Sequence, residues 1–99
     1  MYVIRDTFRL KFGMFKEAAA SMRSAAQSGV FNPADFKMYA DFTGDSYRLI
    51  LESRFDTLSE YENRMLGEMQ KQSWKDWYQQ FKPNIESSHR EILRELNWA

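Results

Sequence analysis

The chain changes its hydrophobic period several times, and each change marks an element. Residues Tyr2–Lys11 alternate: Tyr2, Ile4, Phe8 and Leu10 share one side, which Asp6 interrupts, while Arg5, Thr7, Arg9 and Lys11 lie with Val3 on the other. Period two over that length predicts a half-buried strand. After Gly13 the period lengthens. Phe15, Ala18, Ala19, Met22, Ala25 and Ala26 recur at helical spacing within Met14–Ser28, and Gly29 stands where a C′ residue belongs. A loop over Phe31–Asp35 leads to two more alternating stretches, Phe36–Thr43 and Ser46–Phe55. Gly44-Asp45 joins them, with glycine at the first central position of a type II′ turn. That turn sets Thr43 opposite Ser46, Asp41 opposite Arg48 and Lys37 opposite Glu52, so opposite charges meet across the hairpin. The hairpin's other face carries Phe36, Met38, Ala40, Phe42, Tyr47, Leu49, Leu51 and Phe55.

Thr57-Leu58-Ser59-Glu60 is a capping box, with Thr57 as N-cap and Glu60 at N3. Behind it Leu58, Tyr61, Met65, Leu66 and Met69 form the apolar stripe of a second helix. Ser73 opens a shorter one carrying Trp74, Trp77, Tyr78 and Phe81, halted near Pro83. Ile85–Leu96 reads as a last strand, although Ile92, Leu93 and Leu96 also suit a helix. The order β-α-β-β-α-(α)-β is the ferredoxin-like split β-α-β, an α+β fold with a four-stranded antiparallel sheet and helices on one face. Its strands are expected near 2–11, 36–43, 46–55 and 85–96, in one domain over 1–99.

Composition narrows the function more by exclusion than by suggestion. Fourteen Lys+Arg balance fourteen Asp+Glu, which favours neither nucleic acid nor an anionic membrane as partner. No apolar run nears the ~18 residues of a membrane span, and MYVIRDTFRLK lacks the apolar core of a signal peptide, so a cytoplasmic domain is expected. Zero Cys and a single His exclude thiol chemistry and a multi-histidine metal site within one chain. Aromatic residues at 16%, with six Met, are more bulk than a 99-residue core readily buries. The surplus belongs in an oligomer interface or around a pocket, unless the core is simply rich in Phe.

Specific stretches resemble a known family. Phe8-Arg9-Leu10-Lys11-Phe12-Gly13 looks like the strand-to-helix turn of NIPSNAP-like proteins. Tyr47-Arg48-Leu49-Ile50-Leu51-Glu52, running into Leu58-Ser59-Glu60-Tyr61-Glu62, resembles their third strand and second helix. The tail with Trp77, Phe81, Pro83 and Arg90-Glu91-Ile92 is similar too. The resemblance implies the dimeric α+β barrel (antibiotic biosynthesis monooxygenase-like) superfamily: a homodimer whose two sheets pack face to face with helices outside. It also implies a pocket between sheet and helices, used by cofactor-independent monooxygenases and isomerases among others. The Asn/Trp/His site of the haem-degrading branch is not carried over, because the first strand has no Asn and His89 falls in the last strand rather than a helix.

Three constellations are candidates for chemistry. If His89 shares the apolar face with Asp6, the carboxylate orients an imidazole as a general base requires. Otherwise Asp6 satisfies a backbone amide or helix end and His89 meets solvent. Trp74, Trp77, Tyr78 and Phe81 either flank a flat ligand or fill the core, and Trp77, Tyr78 and Phe81 are the expected ligand contacts. The charged sheet face around Arg5, Arg48 and Glu52 is read first as a dimer interface with partners across it, then as solvated, then as an anion site. Glu60, Glu62 and Glu68 read as a cap and a solvated helix face, with Arg64 and Glu68 a surface pair at i, i+4. Two functions follow. One is a small enzyme of monooxygenase or isomerase type, with Asp6, His89 and Trp77 around an apolar pocket and neither cofactor nor metal. The alternative is a non-catalytic binding or interaction domain with a closed core. The partners expected are a second copy of the chain and a small apolar or aromatic ligand.

Overall fold

The computed structural model describes residues 1–98. Its elements are β1 (Tyr2–Leu10), α1 (Phe15–Gln27), β2 (Phe36–Ala40), β3 (Arg48–Phe55), α2 (Leu58–Met69), α3 (Gln72–Phe81) and β4 (Ile85–Arg94), with short 3-10 turns at Pro33–Asp35 and Lys82–Asn84. The sheet runs β2-β3-β1-β4 with every pairing antiparallel, which is the ferredoxin-like arrangement read from the sequence. The ambiguous last segment is a strand: it pairs with β1 from Tyr2↔Arg94 to Leu10↔Ile85, and a bulge lies between Arg9 and Leu10.

The core forms where the apolar faces meet. Leu10, Ala18, Met22, Leu49 and Phe81 make one buried cluster, drawn from β1, α1, β3 and α3. The alanines of α1 let that helix lie close to the sheet, and Ala18, Ala19, Met22 and Ala25 are its buried stripe. Gly29, at φ +82°, takes the left-handed conformation just past the helix, as its C′ position requires. At α2, Thr57 accepts a hydrogen bond from the Glu60 amide at 3.2 Å, so the N-cap half of the capping box is made. None of the residues of α2 is buried, and Leu58, Leu66 and Met69 remain exposed.

The β2–β3 connection departs from a two-residue hairpin. The register is the expected one, Lys37↔Glu52 through Ala40↔Leu49, but the ladder ends there and residues 42–47 form bends. Tyr47, next to that break, has a φ of 64°, in the left-handed region that a regular strand does not hold. Its carbonyl continues the β1–β3 register by accepting from the Leu10 amide at 2.8 Å. Phe42, expected on the apolar face, is consequently fully exposed, and Met38 is exposed on the edge strand.

Candidate functional site

Strand parity places every side chain of the site, because residues paired across an antiparallel ladder share a face. On the helix-covered face Ile4 pairs with Ser53 and Ile92, Asp6 with Leu51 and Arg90, and Phe8 with Leu49 and Ser88. On the open face Arg5 lies between Glu52 and Glu91, and Thr7 between Ile50 and His89. His89 is therefore on the opposite side of the sheet from Asp6, and its side chain is exposed. The expected Asp6–His89 dyad is not assembled. Asp6 instead accepts a hydrogen bond from Nε of its cross-strand neighbour Arg90. The sequence held only a weak signal for this: Ile92 and Leu96 put Arg90 on the apolar parity of the last strand, whereas Ile85 and Leu93 put His89 there.

Between that sheet face and α2–α3 lies a cavity of about 670 Å³. Ile4, Phe8 and Leu51 floor it, Tyr61, Met65 and Met69 of α2 form one side, and α3 supplies the other. The predicted ligand contacts Trp77, Tyr78 and Phe81 all line it. Trp77 stacks on Phe81 with centroids 4.8 Å apart and meets Phe31 edge-on, while Phe8 meets Phe81 edge-on at 5.2 Å. The Trp77 indole N–H is spent on the Ser21 carbonyl of α1 at 3.1 Å, which fixes the ring's orientation. Trp74 stacks on Tyr78 at the outer end. The aromatic stripe is thus core on one edge and cavity wall on the other.

Polar groups reach the cavity in pairs. The Arg90 guanidinium lies 5.8 Å over the Tyr61 ring while holding Asp6. Burial works against its charge, yet the hydrogen bond and charge of Asp6 outweigh this and raise its pKa above the usual guanidinium value. Burial likewise pushes the Tyr61 phenol above its ordinary 10.0, with Arg90 opposing and Asp6 adding. Arg64, expected to form a surface pair with Glu68, instead reaches Asp35 at 3.0 Å and lies over the Phe55 ring. Glu68 turns the other way, to Lys71 at 3.3 Å. The spacing along α2 allowed an Arg64–Glu68 contact, but a carboxylate from the loop before β2 competes better than a helix neighbour.

The open face carries its own charge pattern. Arg5 bonds Glu52 at 3.0 Å, Arg48 holds Asp41 through Nε and a terminal nitrogen at 2.7 Å, and Arg9 reaches Asp45 at 3.0 Å. Lys37 stands opposite Glu52 as expected, but the carboxylate is taken by Arg5. These charges find partners within one sheet. The Arg48 fork, by hydrogen bond first, holds the Asp41 carboxyl below its ordinary 3.8.

No family model matches the sequence, and no curated protein matches it. Solved structures do resemble it. A NIPSNAP family protein from Agrobacterium tumefaciens superposes with TM-score 0.89 at 18% identity, over 99% of this chain and 95% of that one. An uncharacterized NIPSNAP domain protein from Burkholderia xenovorans gives 0.86 at 13% identity, over 100% and 98%. An antibiotic biosynthesis monooxygenase is more distant, at 0.72 and 6% identity over 98% and 100%. The chain has the ferredoxin-like α+β fold of the NIPSNAP family proteins, with the monooxygenase fold as a more remote likeness.

Proposed function

We propose that this protein binds a small, flat, largely apolar organic molecule in the cavity between its sheet and helices, and that it works as a homodimer joined through the open sheet face. The cavity carries the reading: about 670 Å³ is within the range of drug-sized ligand sites, and the part-exposed rings of Trp77 and Tyr78 line it, backed by the fully buried Phe81. Binding is favoured over catalysis, because Asp6 is engaged by Arg90 and His89 lies on the other face, leaving no oriented carboxylate–imidazole base. The dimer reading rests on the open face, where Tyr39, Ile50 and Leu93 stand among ion pairs that include Arg5, Arg48 and Glu52.

Native mass spectrometry after incubation with a metabolite extract tests the ligand. A bound small molecule is expected on the wild type and absent from Met65→Trp, which fills the cavity from the half-buried side of α2. Retention of the same molecule by a folded Met65→Trp protein counts against the site.

A further inference from the structure

The cavity has a charge pattern that selects among flat ligands. Its formally charged lining side chains on the helix-covered side are Asp6, Asp35, Arg64, Glu68 and Arg90. Each is already held by an opposite charge: Asp6 by Arg90, Asp35 by Arg64, and Glu68 by Lys71. A ligand bringing its own charge into this space meets no unpaired counter-ion, so it gains no net charge pairing to offset the hydration it loses.

Hydrogen-bond donors are nevertheless left over. Arg90 spends Nε on Asp6, and its two terminal amino groups have no protein acceptor among the described residues. A guanidinium carries five N–H groups in a fixed plane, so pairing one edge leaves the rest directed elsewhere. Tyr61 under Arg90 and Phe55 under Arg64 hold the two guanidinium planes in place, 5.8 and 5.2 Å from the ring centroids. The Tyr61 phenol keeps its proton and adds no charge of its own.

We infer that the site selects an uncharged flat molecule bearing a hydrogen-bond acceptor such as a carbonyl, which accepts from the terminal N–H groups of Arg90 while its rings lie against the aromatic wall, and that it rejects carboxylates and ammonium ions of the same shape. This rests on the pocket reading above and specifies its chemistry. The Asp6–Arg90 pair is the selectivity device: the arginine donates, and the aspartate cancels the attraction the arginine would otherwise have for anions.

Three probes of matched shape test it: naphthyl methyl ketone, naphthoate and naphthylmethylammonium, each titrated by calorimetry into the intact protein at neutral pH. The ketone is expected to bind at least about tenfold more tightly than either ion. Asp6→Asn frees the Arg90 charge and is expected to bring naphthoate ahead of the ketone. Arg90→Met is expected to lose ketone affinity and gain for the ammonium probe. Should Asp6→Asn fail to fold, Asp35→Asn, which frees Arg64, is expected to raise naphthoate affinity in the same direction. Equal affinity for all three probes, or an ion binding tightest to the wild type, overturns the selection while leaving the pocket standing. Binding of none of them overturns both.

Discussion

Asp41 and Arg48 show how much one pair determines at the edge of this sheet. The β2–β3 ladder stops at Ala40, and just beyond it the Arg48 fork grips Asp41 and ties the ends of the strands together. The sign of its pH dependence follows from the lowered carboxyl pKa: its contribution is complete above the ordinary carboxylate value of 3.8 and is lost as pH falls below that toward the depressed value. Thermal melts between pH 3 and pH 6 are expected to show a low-pH loss of stability that shrinks in Asp41→Asn. An undiminished acid transition in that variant would assign it to other carboxylates. The pair was legible in the sequence, since opposite charges at matched hairpin positions require only counting. Asp6–Arg90 is equally countable in principle, but the weak alternation of the last strand leaves its parity unmarked.

At the scale of elements, strands and helices were readable wherever one period dominated. The alternation of β1 and β3 and the alanine stripe of α1 placed them within a residue or two. The connection after β2 departs from the two-residue hairpin because Tyr47 leaves the strand conformation at φ 64°, which the turn signal at Gly44-Asp45 does not record. The cap of α2 is a local feature and was read directly. Thr57→Ala is expected to cost about 1 kcal/mol, by loss of the bond to the Glu60 amide. A urea titration reads this as a lower midpoint at unchanged slope. Leu49, 1% exposed at the centre of the cluster, is expected to cost about 2–5 kcal/mol when truncated to Ala.

For the whole molecule, the open sheet face is the surface on which a second copy is proposed to sit. Light scattering at micromolar concentration is expected to give the dimer mass. Charge reversal in Arg5→Glu, which leaves Glu52 facing a like charge, is expected to weaken association more than Lys75→Glu on exposed α3. Equal effects of the two reversals would move the interface elsewhere. The cavity itself was only partly legible. Its aromatic wall was written in the α3 stripe, but its volume depends on how far α2 stands off the sheet, which no period records.

The loose seating of α2 has a kinetic consequence. The helix buries none of its residues, whereas α1 buries four. Its ties to the rest include the Tyr61–Phe55 ring contact, Arg90 over the Tyr61 ring, Arg64 over the Phe55 ring and the exposed Arg64–Asp35 pair, which salt screens. Segments held by so little open well below the free energy of global unfolding. Amide protons of residues 58–69 should therefore exchange with solvent well before those of 15–27, and faster still in high salt. Since the same helix walls the cavity, its transient lifting provides a doorway. The breathing of α2 would then widen a mouth that already opens to solvent.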